Sequence, residues 1–326
     1  KAPDGRPIYN QTGRNTYKGG LYTDDGGERD VWSVAFSRYF NDGDGSFSVG
    51  YTHQDIKELS GMASTTANSS YGKYAASDYN NRTPQRSIYE TEHRFFATAS
   101  STHYFLGADK PTTFNLYFER KSGLPGTYSW DTYTSRNYGG TAYQQEAFGY
   151  EKNLNDDSSH LLYVPSGVSD PNVCWGSCAA PDLAIAAQVL DTLYNTLGLQ
   201  GYAGQIVPNG VYEYPWRTSL DLKITQILPG FRAEDEFVIS LGIMNLLNLI
   251  DSDKGEAKYG PYNGKMAVLD MYMNSDFTKY IYPNYRGRGY PDYAYGYNAS
   301  NPKGIRKSAV NSIWRAQLGF TYKFSF

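Results

Sequence analysis

Trp314-Arg315-Ala316-Gln317-Leu318-Gly319-Phe320-Thr321-Tyr322-Lys323-Phe324-Ser325-Phe326 is the stretch that decides the fold. Trp314, Ala316, Leu318, Phe320, Tyr322, Phe324 and Phe326 alternate with Arg315, Gln317, Gly319, Thr321, Lys323 and Ser325. Successive side chains of a strand point to opposite faces, so this pattern is a strand with one apolar and one polar face. Globular strands average about 5–6 residues, and this one is twice that.

The same alternation recurs upstream. Trp216, Leu220, Leu222 and Ile224 oppose Arg217, Ser219, Asp221, Lys223 and Thr225, and Phe237, Ile239, Leu241 and Ile243 oppose Glu236, Ser240 and Gly242. Leu228-Pro229-Gly230-Phe231 reads as the turn between them. Trp32, Val34, Phe36 and Phe40 lead through Asn41-Asp42-Gly43-Asp44-Gly45 to Phe47, Val49 and Tyr51. A weaker pattern before Phe105 leads through 106–111 to Phe114, Leu116 and Phe118. The spacing predicts about seven strands, over 28–41, 45–57, 88–106, 111–122, 215–228, 234–250 and 309–326.

Short turns alternate with long connections over 58–87, 123–214 and 251–308. If 309–326 ends at the short-turn rim, every long connection lies at the other rim. That is the plan of an all-β, antiparallel up-and-down transmembrane barrel, with short periplasmic turns and long extracellular loops. Loops beyond about 12–15 residues are uncommon in compact soluble domains. The most apolar run, 237–250, is broken by Ser240, Gly242, Asn245 and Asn248 and is too short for a membrane helix. In the longest loop, Asp182 followed by Leu183, Ala186, Leu190, Leu193 and Leu197, with Gly198 behind, predicts an amphipathic helix.

Composition agrees with this plan. The 326 residues include 32 Tyr and 33 Gly and are 16% aromatic, yet mean hydropathy is −0.59. Wet loops and a polar lumen, with aromatic girdles at both interfaces, account for that pairing. The net charge of −3, with basic and acidic residues interspersed, excludes nucleic acid as a partner. Cys174 and Cys178, in Cys-Trp-Gly-Ser-Cys, read as a small loop disulfide, which implies an oxidising compartment; free thiols are the other reading.

The chain resembles the C-terminal barrel of TonB-dependent receptors, in their Oar-like branch. The resemblance rests on Trp-Arg-Thr-Ser-Leu-Asp-Leu-Lys-Ile-Thr-Gln-Ile-Leu-Pro-Gly (216–230), on Leu-Gly-Ile-Met-Asn-Leu-Leu-Asn-Leu-Ile-Asp (241–251) and on the aromatic end through Phe326. It implies a receptor and transporter in the outer membrane of a Gram-negative bacterium, importing a bulky solute through a plugged barrel of about 22 strands. The seven strands here are then the C-terminal segment, and an N-terminal barrel portion and plug precede them. A TonB-type energy-coupling protein, outer-membrane lipids and the barrel-assembly machinery are the implied partners, with Phe326, Phe324 and Tyr322 as the assembly signal. A passive porin-like or adhesive barrel and a soluble secreted carbohydrate-binding β protein are the alternatives.

No catalytic motif is present: there is no Gly-x-Ser-x-Gly, no His-Glu-x-x-His and no phosphate-cradling loop. No catalysis, cofactor or metal is expected. Asp42-Gly43-Asp44-Gly45 lacks the remaining ligands of a calcium loop and reads as a turn. Solute contact is assigned to the aromatic loops, at Tyr128, Trp130, Tyr133 and Tyr138 and at Tyr282, Tyr285, Arg286, Arg288 and Tyr290. Tyr offers a flat apolar body with a polar tip, suited to sugars, peptides or siderophores. Packing of the loops on one another into a lid is the competing reading of the same residues.

Overall fold

The computed structural model describes residues 1–9, 26–60, 65, 70, 74–131, 137–138, 141–142, 148, 160–232, 234–260, 264–282, 301 and 304–324. Seven long strands form one antiparallel sheet in sequence order: β1 (Glu28–Phe40), β2 (Gly45–Glu58), β3 (His93–His103), β4 (Thr112–Lys121), β5 (Arg217–Pro229), β6 (Glu236–Met244) and β7 (Arg315–Lys323). A short piece, Gln85–Arg86, adds to the outer end of β2. Each strand has nine to fourteen residues. The sheet is open, with β1 and β7 as its end strands. Among the described residues no helix is long and apolar enough to cross a membrane.

Every hairpin turn is short and lies at one rim. After β1, Asn41, Asp42 and Gly43 all take positive φ, which Asn, Asp and Gly tolerate best. After β5, Gly230 donates its N–H to the Asp235 carbonyl, and a Cβ on Gly230 would lie 2.4 Å from that of Asp235. Tyr322 on β7 pins this turn, donating to Asp235 Oδ2 (2.7 Å) and accepting from the Phe231 N–H (2.8 Å).

The pairing registers carry one side of the sheet unbroken across all seven strands. Trp32 lies beside His53 and His53 beside His93; Phe36 beside Val49, Val49 beside Ala97, and Ala97 beside Phe118. Phe118 continues to Leu220, Leu222 to Ile243, and Ile243 to Ala316. This side is apolar nearly throughout. The opposite side carries Ser48, Thr98, Tyr117, Asp221, Lys223, Ser240, Gly242, Gln317 and Gly319, and is polar nearly throughout.

Three predicted strands overrun the observed ones by more than two residues. The third begins at His93 rather than at 88, because Glu90 turns back to the Ser87 carbonyl. The sixth ends at Met244, since Asn245 takes the left-handed conformation and Leu246–Ile250 coils into a short helix, α2. The seventh begins at Arg315, since Ser308 caps a helical turn over Ala309–Ser312. Asn245 is the more consequential residue. Its N–H donates to Asp221 Oδ1, and its Nδ2 donates to the carbonyls of Gly255 (3.0 Å) and Ser312 (2.9 Å). Asn245→Ala removes the donor for both carbonyls and is expected to cost about 2 kcal/mol. Asn245→Gly keeps the backbone conformation but not the donors, and should lose nearly as much in a urea titration.

The long connections are not loose loops. Pro125–Asp131 pairs parallel with Lys265–Asp270 and antiparallel with Tyr212–Glu213, and Val173–Trp175 pairs parallel with Tyr280–Tyr282. Leu183–Asp191 forms the predicted helix α1, with Asp182 accepting from the Ala184 N–H. The buried core of the described residues lies wholly in these connections and in the segment before β1, and no residue of the seven long strands belongs to it. Each of the three predicted loop regions contributes, through Tyr79, Trp130 and Met266 among others.

Candidate functional site

Two places in this architecture gather functional side chains: the polar side of the sheet, and the rim where the sheet meets the loop core. A hollow of about 460 Å³ lies against the sheet, lined among others by Ser46, Thr98, Ser100, Asn115, Tyr117 and Lys223. Elsewhere on the same side of the sheet, charges meet across strands and along one: Arg94 Nε lies 2.7 Å from Glu119 Oε1, and Lys121 Nζ 3.4 Å from Glu119 Oε2. Near the turn rim Lys323 Nζ pairs with Glu236 at 2.8 Å. Asp221 is taken by the Asn245 N–H. These pairs hold a hydrated surface in place, and none has the geometry of an acid–base couple facing a pocket.

At the rim, Arg86 gathers three carboxylates. Its Nε lies 2.5 Å from Glu90 Oε1, and its Nη2 lies 2.7 Å from Glu92 Oε2 and 2.8 Å from Glu213 Oε1. Burial raises the Glu92 carboxyl above its ordinary pKa, and Glu213 beside it adds to the shift. Burial works the same way on Glu213, but the hydrogen bonds from Arg86 and Glu92 and the nearby charges of Arg86 and His93 together outweigh it and hold that carboxyl below its ordinary value. Arg86→Ala leaves Glu90, Glu92 and Glu213 crowded without this cation. Discounted for the partial exposure of the arginine, the expected loss is about 2 kcal/mol at neutral pH. Without the cation the three acids bind protons more readily, so the deficit shrinks as pH falls through the carboxylate range. Melting of the variant against the parent at neutral and at acid pH reads this out.

Beside this cluster His53, Glu92 and His93 come together, with one donor atom from each lying within 4.8 Å of the others. No metal is expected from the sequence, where none of the four histidines lies near Cys174 and Cys178. Pairing of β2 with β3 sets His53 directly opposite His93, with Nδ1 to Nδ1 at 3.5 Å. Tyr51 Oη lies 2.8 Å from His93 Nδ1.

The loop residues assigned to solute contact fall into two groups. Tyr128, Trp130 and Tyr282 are 1%, 0% and 0% exposed, at the centre of the loop core. The Arg6 guanidinium sits 4.7 Å from the Trp130 ring centroid and donates to the Leu161 carbonyl, while Tyr280 packs on the same indole at 4.8 Å. Tyr282 donates to the Tyr163 carbonyl. As placed, these three are packed inside the loop core and join its segments to one another. Asn137–Tyr138 forms a two-residue strand. Tyr133, Tyr285, Arg286, Arg288 and Tyr290 lie outside the described residues, as does Phe326.

Burial governs the chemistry of this core. It keeps His160 neutral, with Arg6 and Lys265 adding to the effect, and it pushes the phenols of Tyr163 and Tyr214 up to about 12. Cys174 and Cys178 are joined in a disulfide beside Trp175, whose Nε1 donates to the Val168 carbonyl. Phe324 is exposed on the apolar side. No family model, no curated protein and no solved structure matches the chain.

Proposed function

We propose that this chain forms part of the wall of an outer-membrane β-barrel, with the loop core as its extracellular cap. The observation that carries this reading is the apolar side of the sheet, which none of the described residues covers. Phe36, Phe320 and Leu318 are each about 60% exposed on it, an uncovered surface of a size that soluble monomers rarely present. Strands of nine to fourteen residues suit a tilted membrane crossing, for which about 9–11 suffice.

Aromatic rings edge this side at both ends. Trp32, Tyr51, Phe95 and Trp216 stand at the loop end, and Phe40, Phe237, Tyr322 and Phe324 at the turn end. At about 3.4 Å per residue, Trp314 to Phe324 spans about 34 Å. Tilted by about 40°, that becomes about 26 Å, close to the height of an outer-membrane barrel's apolar band.

Within that class, the reading best supported is a TonB-dependent receptor that binds and imports a bulky solute. The open sheet needs further strands, because an unpaired edge in lipid costs several kcal/mol for each unsatisfied group. β1 and β7 run in the same direction, so two copies of this chain would meet as a parallel pair. A wall of about 22 strands supplies about fifteen more, an odd number that meets both edges antiparallel. On this reading a plug and the remaining strands come from an N-terminal portion, and a TonB-type protein drives uptake. Tyr322, Phe324 and Phe326 engage the assembly machinery, and Tyr133, Tyr138, Tyr285, Arg286, Arg288 and Tyr290 remain candidates for touching solute.

The test is the intact mass of the native polypeptide extracted from membranes with detergent. A mass well above the 36.5 kDa of this chain is expected. A polypeptide of 36.5 kDa with no second chain would overturn the plugged wall, and recovery without detergent would overturn the membrane reading altogether.

A further inference from the structure

We propose that His53, Glu92 and His93 bind one divalent transition-metal ion of the zinc class at the loop end of the sheet. The proposal does not depend on what the barrel carries. His53 is the last residue of β2 in register with β3, His93 opens β3, and the Glu92 carbonyl before it accepts from the Gln54 N–H, so backbone pairing between two adjacent strands places all three.

His93 Nε2 lies 3.3 Å from Glu92 Oε1. Two donors sharing a tetrahedral ion at about 2.1 Å are about 3.4 Å apart, so this pair already has the required spacing. A donor atom of His53 lies within 4.8 Å of one from each of the other two residues, so sharing one ion asks these three to draw together by about 1.4 Å at most. Two imidazoles and one carboxylate form the nitrogen-rich set that selects zinc-like ions over calcium or magnesium, and three protein ligands leave a fourth position for water.

The surroundings orient these donors as metal ligands usually are oriented. With Nε2 on the ion, His93 carries its proton on Nδ1, 2.8 Å from the Tyr51 hydroxyl oxygen, which accepts it. Arg86 holds Glu92 Oε2 at 2.7 Å, which leaves Oε1 turned to the histidines. Trp216 stacks on His93 with ring centroids 5.9 Å apart and limits its rotation. Charge favours a cation too: Glu90, Glu92 and Glu213 share the single guanidinium of Arg86, which leaves the cluster net negative.

The experiment uses the native polypeptide in detergent, stripped with a chelator and titrated with zinc chloride by calorimetry and with cobalt chloride by visible absorption. The parent is expected to bind one equivalent more than the His53→Ala/His93→Ala variant and to give the d–d bands of tetrahedral cobalt. Glu92→Gln should weaken that site at least about tenfold, and Tyr51→Phe, which removes only the orienting hydroxyl, by a similar factor. Equal stoichiometry and affinity in parent and double variant would overturn the proposal. So would a parent that gives no tetrahedral cobalt bands, whether or not the double variant folds.

Discussion

Replacing Trp130 with alanine is expected to open the loop core while the seven-stranded sheet stays paired. The indole is fully buried and lies against Arg6, Tyr280 and Phe148. Truncating a buried Trp costs about 3–5 kcal/mol through lost transfer energy and the cavity left behind. A desolvated guanidinium on an aromatic face adds about 2 kcal/mol that alanine cannot supply. Arg6 would stay beside Asp4, its ion-pair partner at 2.7 Å, but without the ring beneath it.

The two layers of the molecule share no buried residue: the core draws on the loops and on the segment before β1, and the sheet contributes none of it. Damage at Trp130 should therefore appear as protease cutting within 123–214 and 264–282, with the strands still protected. Cutting at parental rates would show that the loops do not depend on this core. Cutting that spreads into the strands would show that the two layers unfold together.

How far the sequence carried the fold depends on how each part is encoded. β5, β6 and β7 were legible because a residue in a half-buried strand declares its face by period two, and nothing interrupts that pattern between Ser219 and Thr225 or between Arg315 and Lys323. Hairpins with short turns also fix their own register. That is why the ends of the sheet near 41–44 and 230–235 agree closely with expectation.

The loop core was illegible for the converse reason. Its strands run two to seven residues, several pair in parallel, and its buried residues fall at no fixed period. A Tyr or Trp in such a segment reads equally well as a binding surface or a packing element. Tyr128, Trp130 and Tyr282 lie buried in the loop core. The disulfide and helix α1 were the exceptions, each announced by a local signal: two cysteines four apart, and Asp182 ahead of a helical apolar row. The His53–His93 pair could not be counted out. A long connection separates β2 from β3, so nothing in the sequence sets which residue of one strand faces which of the other.

A charge placed on the apolar side of β7 should be far more damaging than the same charge one residue away. Leu318 sits at the middle of that strand, 59% exposed, between Ala316 and Phe320 and beside Leu241 of β6. Gln317, its neighbour along the chain, points to the polar side beside Gly242. If the apolar side meets lipid, Leu318→Arg puts a guanidinium near the bilayer midplane at a cost of about 2–4 kcal/mol, while Gln317→Arg adds one more charge to a hydrated wall and costs almost nothing.

The comparison isolates the environment, since both variants add the same side chain to the same strand and leave its backbone pairing intact. Reversible unfolding in lipid vesicles, or the yield of assembled protein from membranes, measures the difference. Equal tolerance of the two arginines would mean that both sides face water, and the apolar side would then have to be an interface with another protein. A loss larger at Gln317 would mean that the polar side is the covered one, which a hollow lined by Ser46, Thr98, Asn115 and Lys223 argues against. Only the predicted order, a severe loss at Leu318 and a mild one at Gln317, fits a sheet whose apolar side has lipid as its solvent.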